Sequence, residues 1–260
     1  MIRGFYTAAS GMVTREKKLN AFAHNIANVN TAGFKKDTLT ISTFGEHIAV
    51  RLNRYNPTPP VPIGRGVFMV TTDSEHVDFE QGALEATHRA FDLAIVGQGF
   101  FVVNDAEGNQ HLTRDGQFAL DDAGFLILPG IGRVQGSSGD INLNGRSDFI
   151  IDARGNIFLP PLEPGDDYDE LGQLSIAIPA DYDAMLKNAS GTFFTEEFSI
   201  LADFGHTQIL QQHIERSNVN MTQEMTRVMN SQRALQSASQ LVRMFDSMKE
   251  RSNDSIGRLR

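Results

Sequence analysis

Side chains able to do chemistry are plentiful in this chain of 260 residues, so their spacing has to be judged. Seven histidines stand at 24, 47, 76, 88, 111, 206 and 213. None falls in His-Glu-x-x-His, the spacing that puts two imidazoles on one helix face around a metal. His206 and His213 are seven apart and would share a helix face, but no nearby acid completes a site. There is no cysteine, which removes thiolate ligands and thiol nucleophiles. "GSSGD" at 136–140 does not fit Gly-x-Ser-x-Gly. Gly97-Gln98-Gly99 lacks the third glycine of a nucleotide fingerprint, and Phe100-Phe101 follow where a helix should start. That stretch reads as a bulge or sharp bend between strands. "EPGDDYDE" at 163–170 lacks the alternating ligands and closing Glu of a calcium loop, so it reads as a solvated loop. Among 32 acids no carboxylate pair is diagnostic. The expectation is a protein that is not an enzyme, with no catalytic, cofactor-binding or metal residues and no small-molecule substrate.

The elements behind these residues point elsewhere. The chain is 40% hydrophobic and 21% charged, the balance of a globular domain with an ample core. Thr7, Ser10, Thr14 and then Arg15–Lys18 interrupt the start, so no secretory signal is read there. No apolar run approaches the ~18 residues of a membrane span. Charge is uneven. Residues 1–36 hold six Lys/Arg against one acid, and 215–260 hold eight against five. The remainder holds nine against twenty-six. An acidic middle between mildly basic ends, without basic patches and aromatic platforms, argues against nucleic acid as a partner.

Near the start, Phe5, Ala9, Met12, Leu19, Ala23 and Ile26 recur at steps of three, four and seven. Near the end, Met221, Met225, Val228, Gln232, Leu235, Val242, Phe245 and Met248 do the same. Both are heptad seams, and Asn220 with Gln223 resembles a capping box before the second. A helix with one apolar stripe must pack on something. The two therefore pack on each other or on copies of themselves. "NIANVNTAGFKK" at 25–36 is a helix stop. Asn28, Asn30 and Gly33 suit left-handed backbone, Phe34 anchors the exit, and Lys35 and Lys36 suit a helix C-terminus.

From about 37 to 214, short Thr/Val/Ile/Phe runs are punctuated by Gly, Asp and Asn, as in a β-rich domain. "RYNPTPPVPIGRG" at 54–66 reads as a Pro-rich loop or linker. Asp-x-x-Gly recurs at 105–108, 121–124 and 152–155 between strand-like runs, which predicts three hairpins on one plan.

Three segments, in order along the chain, resemble the bacterial flagellar rod and hook proteins. They are "AASGMVTREKKLNAFAHNIANVNTAGFKK" at the start, "QGALEATHRAFDLAIVGQGFFVV" with "LTRDGQF" in the middle, and "SNVNMTQEMTRVMNSQRALQSASQLV" at the end. Residue by residue, the matching positions are Asn25, Ala27, Asn28, Gly33 and Phe34; then Asp92, Ala94, Gly97, Gly99, Phe100 and Phe101; then Asn218, Val219, Asn220, Gln232, Arg233 and Ala234. His24 and Leu235 depart from the family pattern, where Asn and Tyr are usual.

The resemblance implies a structural subunit of the basal-body rod, closest to a distal or proximal rod protein. It implies export by the flagellar type III apparatus without a cleaved signal, and residence in the basal body outside the cytoplasmic membrane. Partners would be copies of itself and other rod and hook axial proteins. The terminal segments would be largely disordered in the free monomer and become coaxial helices on assembly.

The expected fold is α+β: terminal helices packed as a coiled coil, with a mainly antiparallel β middle domain. The segments are 1–36, 37–214 and 215–260. The expected subunit seam is Phe5, Met12, Leu19, Ile26, Met225, Val228, Leu235, Val242 and Phe245. An alternative from the residues alone is a secreted β-domain that binds cell-wall glycan and oligomerises through its ends. A wall hydrolase ranks behind it.

Overall fold

A computed structural model of the chain describes residues 2–44, 47–51, 61–66, 69–161, 168–188, 190–195, 197–200 and 207–257. Two long helices bracket the β structure. The first, α1, is Ile2–Ala27, and the second, α2, is Met221–Gly257. At 1.5 Å per residue, α2 is about 55 Å long. It starts where it does because the Asn220 side chain accepts the amides of Thr222 (3.1 Å) and Gln223 (3.2 Å), satisfying two donors of the first turn.

The described residues form two compact units: 1–27, 37–78 and 220–260 in one, and 28–36 with 79–219 in the other. They cut across the three consecutive segments read from the sequence, because the chain enters the second unit at 28, leaves it, and re-enters at 79. The helical unit holds α1 packed on α2, with the strand Lys36–Phe44 beside Met69–Asp78 and a hairpin of His47–Arg51 with Val61–Gly66. Part of the stretch expected as a Pro-rich loop is thus a strand, and residues 54–60 of it lie outside the described residues.

The β unit is built on a ten-stranded sheet in which Phe100–Asn104 is flanked by Gln110–Thr113 and Gly132–Gly136. The described strand pairs are antiparallel. Alternating apolar residues of these strands close the core around Leu93, Phe101, Phe118, Leu126, Val134 and Leu143, each wholly buried. The chain is therefore α+β, with packed terminal helices and a mainly antiparallel β middle.

The repeated turn is real in three dimensions. Gly108, Gly124 and Gly155 adopt φ of 87°, 84° and 79°. Each donates its amide back to the carbonyl of the Asp three residues earlier. Asp105 and Asp152 accept amides two and four residues on, which the carboxylate of a turn-opening Asp is placed to do. A fourth copy, with Asn188 in the Asp position and Gly191 at φ 79°, escapes a pattern that asks for Asp.

Candidate functional site

The flagellar motifs concentrate in the helix pair of one unit and in the segments 28–36, 92–101 and 215–219 of the other. On α2, Glu224, Val228, Ser231, Leu235, Ala238, Val242 and Phe245 form an alternating four-three stripe of buried and half-buried residues. On α1, Thr14, Ala21 and Asn25 are buried, while Phe5, Met12, Leu19 and Ile26 are half-buried. The helices run antiparallel: Gly4 faces the Phe245 ring, and Lys249 Nζ lies 4.8 Å from the Phe5 ring centre. Burial, then the charges of Arg15 and Arg227, holds the Lys18 ammonium below its ordinary pKa.

Of the nine seam residues expected from the sequence, eight are half-buried. Met225 is the exception: it is 45% exposed, and Met221, Met229, Met244 and Met248 on the same helix are exposed with it. Ala23 is also exposed. The fully buried seam positions carry small or polar side chains, Thr14, Ala21 and Ser231. Gln232 and Arg233, both family-motif positions, are exposed on α2.

The end of α1 is fixed by pairing as much as by a stop. Asn25 is wholly buried and bonds the backbone of Asp37 from both its amide and its carbonyl oxygen. His24 Nδ1 lies 2.9 Å from the Asp37 carboxylate. Among the expected left-handed residues only Gly33 takes that conformation, at φ 66°; Asn28 and Asn30 do not. Asn28 instead receives the amide and hydroxyl of Thr31.

Lys35 corrects a second expectation. It does not cap a helix; its side chain is 1% exposed and reaches Glu215 Oε1 at 2.6 Å. Arg114 Nη1 meets Glu215 Oε2 at 3.2 Å, and the Gly82 amide donates to Oε1 at 2.9 Å. Burial pushes the Arg114 guanidinium down, while the charge and hydrogen bond of Glu215, and then Tyr182, push it up. Asn218 accepts the Lys36 amide and donates to the Glu80 carbonyl, which accounts for the first Asn of "SNVN". Phe34 is buried beneath Lys187 Nζ, 3.9 Å from the ring centre. Glu215 is the residue that sequence reading missed, because nothing local distinguishes it among 32 acids.

The middle motif builds the floor of this unit. Gly97 (φ 101°) and Gly99 (φ 111°) bend the chain between the strands Leu93–Val96 and Phe100–Asn104, the sharp bend between strands expected from the sequence. Phe100 packs edge-on against Phe79 and Phe193, and Phe101 against Phe118. Asp92 is 1% exposed, and Ala94 is wholly buried. Arg114 also donates to the Gly97 carbonyl at 2.8 Å, tying "LTRDGQF" to the bend. His213 turns back to the end of the preceding strand, with Nδ1 2.8 Å from the Gln211 carbonyl, and His206 lies outside the described residues. Among the described residues no three His, Asp or Glu converge as a metal site, and no helix is long and apolar enough to cross a membrane.

Three family models match in chain order. "Flagella basal body rod protein" covers residues 5–35, "Flagellar hook protein FlgE/F/G D1 domain" covers 94–195, and "Flagellar basal body rod FlgEFG protein C-terminal" covers 210–255. The chain is 30% identical over 264 residues to the flagellar basal-body rod protein FlgG of Bacillus subtilis, spanning 95% of this chain and 97% of that protein. It is 29% identical over 265 residues to FlgF of Caulobacter vibrioides, spanning 100% and 98%. Against FlgG of Buchnera aphidicola it is 28% identical over 267 residues, spanning 95% and 97%. The matched segments hold the helix pair, the Asn25 and Gly33 turn, the Gly97–Gly99 bend and the Asn218–Asn220 cap, and on these grounds the chain belongs to the flagellar basal-body rod proteins, a family of structural proteins and not of enzymes.

Proposed function

We propose that the chain is a structural subunit of the bacterial flagellar basal-body rod, polymerising through α1 and α2 into a helical tube that transmits torque from motor to hook. The observation that carries this reading is the incomplete burial of the helix pair. Phe5, Met12, Leu19, Ile26, Val228, Leu235, Val242 and Phe245 are only half-buried by their partner helix, and a row of methionines is left outside. One chain does not supply the remaining apolar surface; neighbouring copies and other rod and hook proteins do, as a bundle of coiled helices. A head-to-tail contact that does not close on itself builds a helical tube. On this reading the subunit is exported by the flagellar type III apparatus without a cleaved signal and resides in the basal body. Its segments keep the order 1–36, 37–214 and 215–260 along the chain.

Glycan binding has no such support. A depression of about 710 Å³ in the β unit is lined by Asp105, Asp121, Arg133 and Asp140 and by no aromatic side chain on which a sugar could stack.

The test is an in-frame deletion in the source organism, with electron microscopy of isolated basal bodies. A truncated rod with no hook or filament is expected. Normal flagella would refute the reading.

A further inference from the structure

Four stretches far apart in sequence meet at one carboxylate. Glu215 accepts from Lys35, 180 residues earlier, and from Arg114, 101 residues earlier, and its side chain is wholly buried. Its backbone carbonyl accepts the Gly33 amide at 2.8 Å, and the next amide, Arg216, donates to the Ala83 carbonyl at 2.8 Å. Lys35 Nζ also donates to the Glu80 carbonyl at 2.8 Å. Packing here leaves no slack. A Cβ on Gly33 would stand 2.2 Å from the Asp115 nitrogen, and one on Gly82 would stand 1.9 Å from the Arg216 carbonyl oxygen.

A buried pair of cations sharing one carboxylate is a poor source of net stability, because desolvation offsets most of the attraction. Its removal in part is costly, because a charge is then left in a dry interior. That asymmetry makes the arrangement selective. A chain with only its early residues buries Lys35 and Arg114 around an empty centre. A chain lacking residues 28–36 buries Glu215 against Arg114 alone.

We infer that Lys35, Arg114 and Glu215 are a clasp that orders residues 28–36 and 211–219 in a single step, so that both ends of the β unit's sequence dock together, or not at all, on a sheet that stands without them. The inference concerns folding of the single chain and stands whether or not the chain polymerises.

Amide hydrogen exchange on the full chain tests it. In the parent protein, the amides of Gly33, Lys36, Gly82 and Arg216 should exchange with one common protection. In Glu215→Gln, which keeps the shape and removes the charge, all four should exchange roughly a hundred- to several-thousandfold faster, the loss expected for one partner of a buried pair. The amides of Phe100–Asn104 should keep their protection. Lys35→Met alters only the early segment, and the clasp requires that it also release Arg216 in the late one. Loss of protection at Gly33 and Lys36 alone would overturn the proposal, as would uniform loosening that includes Phe100–Asn104, or no change at either segment. If Glu215→Gln does not fold, the Lys35→Met result decides on the same criteria.

Discussion

Asn25 and Asp37 are joined as two strands would be, although one partner is a side chain. Asn25 Nδ2 donates to the Asp37 carbonyl and Asn25 Oδ1 accepts the Asp37 amide, each at 2.9 Å, with Asn25 wholly buried. The last turn of α1 is thereby held to the strand that follows the 28–36 excursion. Asn25→Ala leaves both backbone groups buried without these bonds, and each costs about 1–3 kcal/mol. Thermal unfolding followed by circular dichroism at the helix band should show a loss of about 2–6 kcal/mol. Asn25→Asp, which sets a carboxylate oxygen against the Asp37 carbonyl and buries a charge, should lose at least as much. A loss within ~0.5 kcal/mol for Asn25→Ala would contradict the pairing.

Gly33 is constrained twice. Its φ of 66° alone would make alanine cost about 1 kcal/mol. A Cβ there also meets backbone, 2.2 Å from the Asp115 nitrogen, and backbone cannot swing aside as a side-chain tip can. Gly33→Ala should therefore cost well above that, about 3 kcal/mol or more by denaturant unfolding of the β unit. Gly116→Ala makes a control without the φ contribution, since its Cβ would stand 1.7 Å from the Leu93 carbonyl oxygen. A Gly33→Ala cost of only ~1 kcal/mol would mean that conformation, and not close approach, selects glycine.

The outward row of α2 separates assembly from folding. Met225, Met229, Met244 and Met248 are 45–52% exposed, so replacing all four with serine removes little buried area from the single chain. The monomer's melting curve should be unchanged to within about 0.5 kcal/mol per site. Assembly into rods, read by electron microscopy or sedimentation, should fall. Val228→Asp with Leu235→Asp should abolish assembly too, but should also loosen α1 from α2 and leave the β unit folded. Melting of the β unit in that double variant would sink the assembly reading of the seam.

Two carboxylates give opposite pH effects. Burial raises the Asp115 pKa above its ordinary 3.8; the Gln117 amide works against this and the charge of Asp92 adds to it. The native state then holds this proton more tightly than the unfolded one. The stability that goes with protonation is present below 3.8 and is lost as pH rises through the raised value. Asp115→Asn should therefore stabilise the protein at neutral pH, with the gain shrinking toward pH 4. Asp105 is the reverse. Hydrogen bonds from Asn109, then His111 and Glu107, hold it below 3.8, so its contribution is present above that value and fades as pH falls beneath it. Urea unfolding of Asp115→Asn and Asp105→Ala from pH 3 to 7 reads both signs. A gain for Asp115→Asn that grows toward acid would reverse the first.

Period and turn chemistry carried the sequence reading as far as local rules reach. Val228, Leu235, Val242 and Phe245 fall on the inward face of α2 because spacing alone decides the face of a helix. Met225 obeys the same spacing one step off, and ends outside. Asp105, Asp121 and Asp152 open turns because Asp and Gly act within five residues of one another. Lys35 failed for the complementary reason. A lysine after a helix has an obvious local use, and the Glu215 that claims it lies 180 residues on. The interleaving of 28–36 into the β unit was hidden in the same way, since it depends on pairings such as Lys36 with Asn218 that no local pattern encodes.

With no cysteine, methionine is this chain's only sulfur, and five of its nine methionines stand on α2 at 44–52% exposure. Peroxide reaching the free subunit would find these thioethers before that of Met185 and convert flexible apolar contacts into polar sulfoxides. Met185, in the β unit, is 7% exposed and would be spared. The chemistry of oxidative damage in this protein is thus directed to the outside of its longest helix, and an oxidised subunit would keep its β fold while its surface ceased to be greasy.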